Sequence, residues 1–568
     1  MKKQLLTALF VVTFFACASV SASAVENDMV KVGLRYGSGA LFSANLENAQ
    51  GSGYSFGYFD EDRSFESLYE TDETTISMTA AGDIYMSQSG SYSRDMPSGT
   101  FRYLGPWRVQ VDGFGDRKEA EDAADDLDGW VAWISGEYVV RTGCYDSHKE
   151  AENAAEDIDG GYAEKVSDTA VTVTVTGTTD ILFEYDYRGI LPLGVQPEGW
   201  GEEPITWFKG YRYRGGFEYP RITGGNLSVI NVVDLEDYVK GVIPHEMNGQ
   251  WPLAALEAQA VCARTYACRT TKHQSSYGFD VCNTTDCQVY NGVNTATARS
   301  DEAVDNTAGE CVYYDGELAE TVYHSSDGGA TEDAANVWGS DVPYLKGKQD
   351  PYESAASIPD YQYTVTYTRE ELTWVLQNSG YSIGNVTNVY VSEYTPLGNV
   401  YKVTFEDSSG HSLTVKGETC RMAFYSTTYG KNVRSMRFTI SGGTGDAMVG
   451  GATGGSGSGS GNVSSGGSYS VNGNQTLDSL DGASVISGSG HLGTLDGGSV
   501  SVITSSGTQT VGLGSISNVR NASGTFVITG TGNGHNVGMS QYGAKAMAEQ
   551  GYDYEDILNF YFTDITIK

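Results

Sequence analysis

Basic residues are scarce in this chain. Lysine and arginine number 35 against 72 aspartates and glutamates, a net charge of −37. Phosphate backbones are bound by clustered Lys and Arg, so this balance excludes nucleic acid as the expected partner. Long apolar runs are also missing. After the first 20 positions no stretch approaches the ~20 apolar residues that cross a bilayer. Cysteine is sparse, at eight residues. Beyond the N-terminal segment the thiols are Cys144, Cys262, Cys268, Cys282, Cys287, Cys311 and Cys420. An odd set leaves at least one thiol free or paired between chains. What is abundant is Tyr, at 38, and Gly, at 72. Tyr stacks on sugar faces and also hydrogen-bonds, which suits a glycan binder, although Tyr-rich β domains without ligands share this composition.

The 568 residues suggest about three to four domains. Lys2 and Lys3 precede an apolar run from Leu5 to Val20, and Ala22-Ser23-Ala24 completes a secretory leader over residues 1–24. Cys17 lies in FFAC, which lacks the usual Leu of a lipidation site. The expected location is therefore secreted, extracellular or cell-wall associated, with no membrane span once the leader is removed.

Residues 27–95 read as β-rich. Residues 104–166 hold an internal repeat, in which WRVQVDGFGDRKEAEDAADDL is echoed by YVVRTGCYDSHKEAENAAEDI. Each half reads as a strand, a turn and a helix with Ala and Leu or Ile on one face, giving a small α+β domain of βαββαβ type. Strands resume from 170, which suggests that 27–95 and 170–441 belong to one mixed, β-rich domain interrupted by the repeat. Residues 442–468 are a Gly/Ser linker or surface loop. Residues 469–522 continue as short strands, and 523–568 return to the main domain with two helices. The fold class expected is α+β.

The chemistry concentrates at GVIPHEMNGQWPLAALEAQAVCARTYA, residues 241–267. A zinc protease helix needs H-E-x-x-H, so that two imidazoles one turn apart share the metal. Here His245-Glu246 is followed by Met247, Asn248 and Gly249, and that reading fails. A second reading makes Glu246 a carboxylate placed against a helix start. A third rests on its neighbours Ile243, Pro244, Met247, Trp251 and Pro252. Such an apolar bed desolvates a carboxyl and raises its pKa, as a general acid requires. In the following helix, Leu253, Leu256, Ala260, Val261 and Ala267 account for a core face but not for Gln259, Arg264 and Thr265. Arg264 either points back toward Glu246 or forms a surface salt bridge.

Two resemblances sharpen these readings. The repeat resembles the SPOR family through Val109-Gln110-Val111, Gly113-Phe114 and Glu119-Ala120, echoed by Val139-Val140-Arg141, Gly143 and Glu150-Ala151. That resemblance implies binding to peptidoglycan strands stripped of stem peptides, with Gln110, Phe114 and Arg141 as glycan contacts. LEDYVKGVIPHEM, WPLAALEAQAVCARTYA, CQVYNG, YHSSDGGATED and GNGHNVGMSQYGAKAMAEQG, in that order, resemble the SpoIID/LytB family. This implies a lytic transglycosylase cutting peptide-free glycan strands, or an amidase enhancer that acts with a partner cell-wall amidase.

Carried over motif by motif, the resemblance makes Glu246 the catalytic acid and Arg264 its conserved companion. It makes Gln259, Ser325, Ser326, Gly328, Gly329, Thr331, Glu332, His535, Ser540, Gln541 and Tyr542 substrate contacts. Gly-rich segments let backbone approach a sugar closely, while plain turn chemistry also explains Ser325–Gly329. Asn536 stands where family members carry Gly, next to His535. Some members hold zinc near the C-x4-C stretch with histidines. Here Ser276 and Asp286 occupy those places and His273 is the nearest imidazole, so a Cys282–Cys287 disulfide is expected and no metal or cofactor. A transglycosylase needs one carboxyl, whereas glycosidases usually need two. Asp327 and Glu332 are the alternative second carboxylates for a hydrolase.

Overall fold

The segment Val229–Asp234 is buried on both faces along almost its whole length, the mark of a central strand. It pairs antiparallel with Met29–Arg35 on one side and Gly216–Tyr219 on the other. The computed structural model describes residues 28–201, 203–221, 224–270, 272–353, 358–442 and 524–568, with the backbone of short strands between 469 and 512. The expected leader, and all but the first residue of the expected Gly/Ser linker, lie outside these residues. Among the described residues, no helix is long and apolar enough to cross a membrane.

Mixed helix and sheet, with strands predominating, make an α+β protein. The central strand belongs to a seven-stranded sheet that runs outward to Gly51–Phe59 and Phe65–Thr71. A ten-stranded sheet packs on the same core through Ile76, Met78, Val171, Val173 and Phe183. Thr75–Ala80 pairs with Val171–Val175, so segments on either side of the repeat lie side by side.

The repeat itself folds as strand Trp107–Phe114, helix α1 (Arg117–Asp126), strands Trp130–Ile134 and Glu137–Tyr145, helix α2 (His148–Ala155) and strand Tyr162–Lys165. The strand order is fourth, first, third, second. Asp116 caps α1, and Ser147 with Glu150 forms a capping box on α2. The small buried side chains Ala120, Ala124, Ala151 and Ala155 bring both helices close to the sheet. The insert does not stand apart: Trp130–Ile134 pairs in parallel with Ile181–Asp186, which makes it one end of the ten-stranded sheet.

That junction is held by a buried charge cluster. Glu184 accepts from Arg108 at 2.9 Å and from Arg141 at 3.1 Å. Burial alone would raise the Glu184 pKa, but the two guanidiniums win and hold it at about 2. Gln110 is buried too, and its Oε1 accepts from Arg141 at 2.8 Å. Gln110 and Arg141, expected as glycan contacts, are thus interior residues tying the insert to the sheet. Only Phe114 of that set is half-exposed.

The stretch expected as one domain to residue 441 divides. Residues 362–441, with Thr525–Thr531, build a second unit around Tyr367, Leu372, Val403, Phe405, Phe424 and Phe438. Thr525–Thr531 lies between Gln362–Thr368 and Phe438–Ser441, so the returning chain completes this second core before rejoining the first. Within 469–512 the described strands form three antiparallel pairs.

Replacing Arg141 with Met should lower stability by about 1–3 kcal/mol, because Glu184 loses one of its two cationic donors and the buried Gln110 Oε1 loses its donor; chemical denaturation measures it. Glu184 has a depressed folded pKa. Its contribution is present above the ordinary carboxylate range and is lost as pH falls toward about 2. The wild-type and Arg141→Met melting midpoints should therefore converge on acidification through that window.

Candidate active site

Helix α3 (Leu235–Glu246) begins at Asp234, whose carboxylate accepts from the amides of Glu236 and Asp237. Pro244 sits in its last turn, where it has no N–H to give, and the chain leaves the helix at Met247. Glu246 is therefore the last helical residue. Its carboxylate lies at the negative end of the helix dipole, which disfavours ionisation. The reading of Glu246 as a helix-start carboxylate is overturned.

Glu246 is half-buried, above the buried Ile243 and Met247. Its Oε1 accepts from the Val289 amide at 2.8 Å, and Oε2 accepts from Gln541 Nε2 at 3.4 Å. Burial raises the Glu246 pKa; the Val289, Gln541 and Tyr323 hydrogen bonds oppose it, and burial wins. The Tyr323 hydroxyl also accepts from Gln288 Nε2 at 3.2 Å, and Gln288 Oε1 accepts from Tyr238 at 2.8 Å. This string of buried polar groups fixes the inner side of the carboxyl. Tyr238 and Tyr323 were missed in the sequence because nothing local to a tyrosine marks that its hydroxyl will join a distant polar chain. Gln288 lay inside CQVYNG with nothing to mark its direction.

Helix α4 (Leu253–Arg269) runs through the core, with Leu256, Gln259, Ala260, Val261, Arg264 and Thr265 all buried. A helix surrounded on all sides carries polar residues inward, so its polar positions do not form a solvent face. Gln259 reaches the site: its Oε1 accepts from Gln541 at 3.4 Å. Arg264 does not. Its guanidinium pairs with Glu236 at 2.6 Å and donates to the carbonyls of Glu310 and Val304. It braces α4 against the start of α3 and is neither an orienter of Glu246 nor a surface residue.

The remaining motif residues divide into those beside Glu246 and those that scaffold it. Gln541 opens the helix Gln541–Glu549, capped by Ser540. Tyr542, the residue after Gln541, packs on Trp251 with ring centroids 4.9 Å apart. The Ser325 carbonyl accepts from the Tyr542 amide at 3.0 Å. Ser326, Gly328 and Ser540 all turn to the buried Glu353. Its carboxylate accepts from Ser326 Oγ, the amides of Asp327 and Gly328, and Ser540 Oγ, between 2.6 and 2.9 Å.

Gly328 has φ +75, and a Cβ there would lie 2.5 Å from the Thr531 carbonyl. Its close approach is thus to the protein's own backbone rather than to a sugar. Gly329 donates to Asp327, and Thr331 bonds the Lys348 backbone. Glu332 is buried and accepts from Thr395, Asn399 and Asn336 in the second unit and the adjoining loop. Asp327 is buried beside Glu353 and Asp350, and burial and those carboxylates push it well above its ordinary range. Neither Asp327 nor Glu332 is placed as a second catalytic carboxylate.

His535 uses both ring nitrogens, Nε2–H to the Tyr323 carbonyl at 3.0 Å and Nδ1 from the Val537 amide at 3.1 Å. Burial lowers its pKa to about 4, so the ring is neutral and structural. The Asn536 departure is accommodated. With φ +66 it occupies the left-handed region that favours Gly and next tolerates Asn. Its side chain bonds the carbonyls of Asp327 and Ala330 and the Met436 amide.

The Cys282 and Cys287 thiols are not bonded to each other. With His273 and Asp286 they offer four donor atoms all within 4.8 Å of one another, and Cys287 Sγ lies 3.3 Å from His273 Nε2. Two thiols, an imidazole and a carboxylate suit a four-coordinate structural zinc, so the expected disulfide gives way to a donor set of metal type. Bound there, zinc would pin the loop after α4 against the edge of the seven-stranded sheet.

A half-buried carboxyl on a helix end, held by a backbone amide and a glutamine side chain, is the candidate functional group of this α+β scaffold. The SpoIID (stage II sporulation protein) family model matches residues 223–314, which contain α3, α4 and the cysteine loop. An uncharacterised protein of Brachyspira hyodysenteriae is 31% identical over 343 residues, covering 60% of this chain and 68% of that protein. An "Amidase enhancer" of Bacillus subtilis is 29% identical over 343 residues, 58% of this chain and 40% of that protein. "Stage II sporulation protein D" of the same organism is 33% identical over 161 residues, 26% of this chain and 46% of that protein. The chain thus spans less than half the length of these two named relatives. It belongs to the SpoIID family.

Two outcomes test this site. Glu353→Ala strands four donors in the interior and should cost about 3 kcal/mol or more, read by thermal melting. Cys287→Ser should abolish binding of stoichiometric zinc, measured by metal analysis after dialysis, and leave a chelator with no further effect on the melting temperature.

Proposed function

We propose that this protein is an exported peptidoglycan lytic transglycosylase. The observation that carries the proposal is Glu246: one carboxyl with a raised pKa, held by the Val289 amide and Gln541 and partly open to solvent. Protonated, it gives its proton to the glycosidic oxygen between MurNAc and GlcNAc. The resulting carboxylate takes the proton of the MurNAc C6 hydroxyl as that oxygen attacks C1. The product is a 1,6-anhydro-MurNAc end, and no water is consumed. The confinement of Asp327 and Glu332 in other networks supports chemistry by a single carboxyl rather than a glycosidase pair. Trp251 and Tyr542 supply an aromatic surface for a sugar face.

The βαββαβ insert fits the strand-binding role that its SPOR resemblance implies, with the face around Phe114 as the contact. A tether of this kind raises the local concentration of peptide-free strands at Glu246. The second reading, a non-catalytic wall protein that stimulates a partner amidase, draws on the relative named amidase enhancer.

The test is mass spectrometry of products from purified protein and peptide-free strands. Anhydro-ended fragments are expected, with Glu246→Gln reducing them by about 10²–10⁴-fold, the usual scale of general acid–base catalysis. Reducing ends would make it a hydrolase. No cleavage, with stimulation of an added amidase, would establish the enhancer. The active form carries the proton on Glu246, so cleavage should fall as pH rises through its raised pKa, and Gln541→Ala, which removes a donor to the carboxylate, should move that fall to higher pH.

A further inference from the structure

Two of the cysteines form a second pair, away from the zinc-type cluster. Cys268 lies one turn beyond Arg264 and Thr265 on α4 and shares their face. Arg264 donates to the Glu310 carbonyl at 3.1 Å, and the Val312 amide donates to Thr265 Oγ1 at 2.9 Å. The residue between those partners is Cys311, which is thereby brought opposite Cys268, close enough for each thiol to perturb the other's ionisation. Among the described residues no histidine or carboxylate joins this pair to make a metal-type donor set, in contrast to Cys282 and Cys287. Cys262 and Cys420 are fully buried elsewhere.

We propose that Cys268 and Cys311 are a disulfide-forming pair that staples α4 to the chain's C-terminal edge. Cys311 and Lys568 exchange both backbone hydrogen bonds, and Val312–Tyr314 pairs with Thr566–Ile567. The link would therefore join the helix carrying Gln259 to the strand that closes the fold. The oxidant is a small disulfide such as oxidised glutathione. The part-exposed Cys268 thiolate attacks one of its sulfurs and expels one glutathione thiolate. The Cys311 thiolate then attacks the mixed disulfide at the Cys268 sulfur and expels the glutathione bound there. Two thiol protons are released to solvent, two electrons reach the oxidant, and one S–S bond forms. Cys311 suits the second, internal step, because the Cys268 and Thr265 hydrogen bonds and the Arg264 guanidinium favour its thiolate over the opposing effect of burial. Cys268 is part-exposed, which gives a reagent access. The bond's formation in the organism rests on the exported reading, since export provides an oxidising setting.

The full chain, loaded with zinc, is equilibrated across ratios of reduced to oxidised glutathione, alkylated, digested without reductant and analysed by mass spectrometry. A peptide joining Cys268 to Cys311, lighter by two hydrogens, is expected, together with a rise in melting temperature that dithiothreitol reverses. Cys268→Ser and, separately, Cys311→Ala should each remove both signals while keeping zinc. Full alkylation of both thiols at every ratio would overturn the proposal, as would a link confined to Cys282 and Cys287. The assay uses a defined redox couple, so its failure leaves the export reading intact. Conversely, a chain retained in the cytoplasm would sink export without touching the pair's chemistry.

Discussion

The site depends on the Glu353 carboxylate. It accepts from four donors on two segments that lie more than a hundred residues apart, the 326–328 turn and Ser540. A carboxyl is costly to bury, and burial raises the Glu353 pKa, but its two oxygens accept from four donors that offset that cost. The consequence is positional. Ser540 caps the helix Gln541–Glu549, so anchoring Ser540 sets where Gln541 begins, and Gln541 is the side chain that meets both Glu246 and Gln259. The polar signature of the YHSSDGGATED and GMSQYGA motifs therefore reflects a joint between loops first and a substrate surface second.

Electrostatics then separates the carboxyls by role. Glu184 is buried against two guanidiniums and stays ionised down to about pH 2. Asp327 is buried against other carboxylates, with no ion pair to a cation among the described residues, and is pushed toward the neutral form. Glu246 lies between these cases. It is desolvated enough for its pKa to rise, has neutral donors only, and keeps an open side. Its place at the C-terminal end of α3, in the last turn with Pro244, adds a backbone dipole that also resists ionisation.

Much of the architecture was legible from local pattern. The repeat at 104–166 announced its βαββαβ order, because strand alternation, caps and Ala-lined helices are set by residues close in sequence. Glu246 stood out for a similar reason, since its apolar neighbours are sequence neighbours. Arg264, Gln110 and Arg141 were misread because a polar side chain on a helix or strand gives no sign of whether its partner is a ligand or a distant carboxylate. Glu236 and Glu184 supplied those partners inside the fold.

The sequence by itself determined the charge balance, the α+β class and the insert's order of strands and helices. These follow from composition and from interactions within a few residues. Tertiary structure alone decided that Gln541 would reach Glu246 from 295 positions away and that Asn536 would take a glycine's left-handed conformation. It also decided that Cys282, Asp286 and Cys287 would gather around His273 and that Cys268 would face Cys311. Each of these is a contact between segments whose separation the chain sequence does not encode locally, and each is fixed only once the two sheets and α4 share one core.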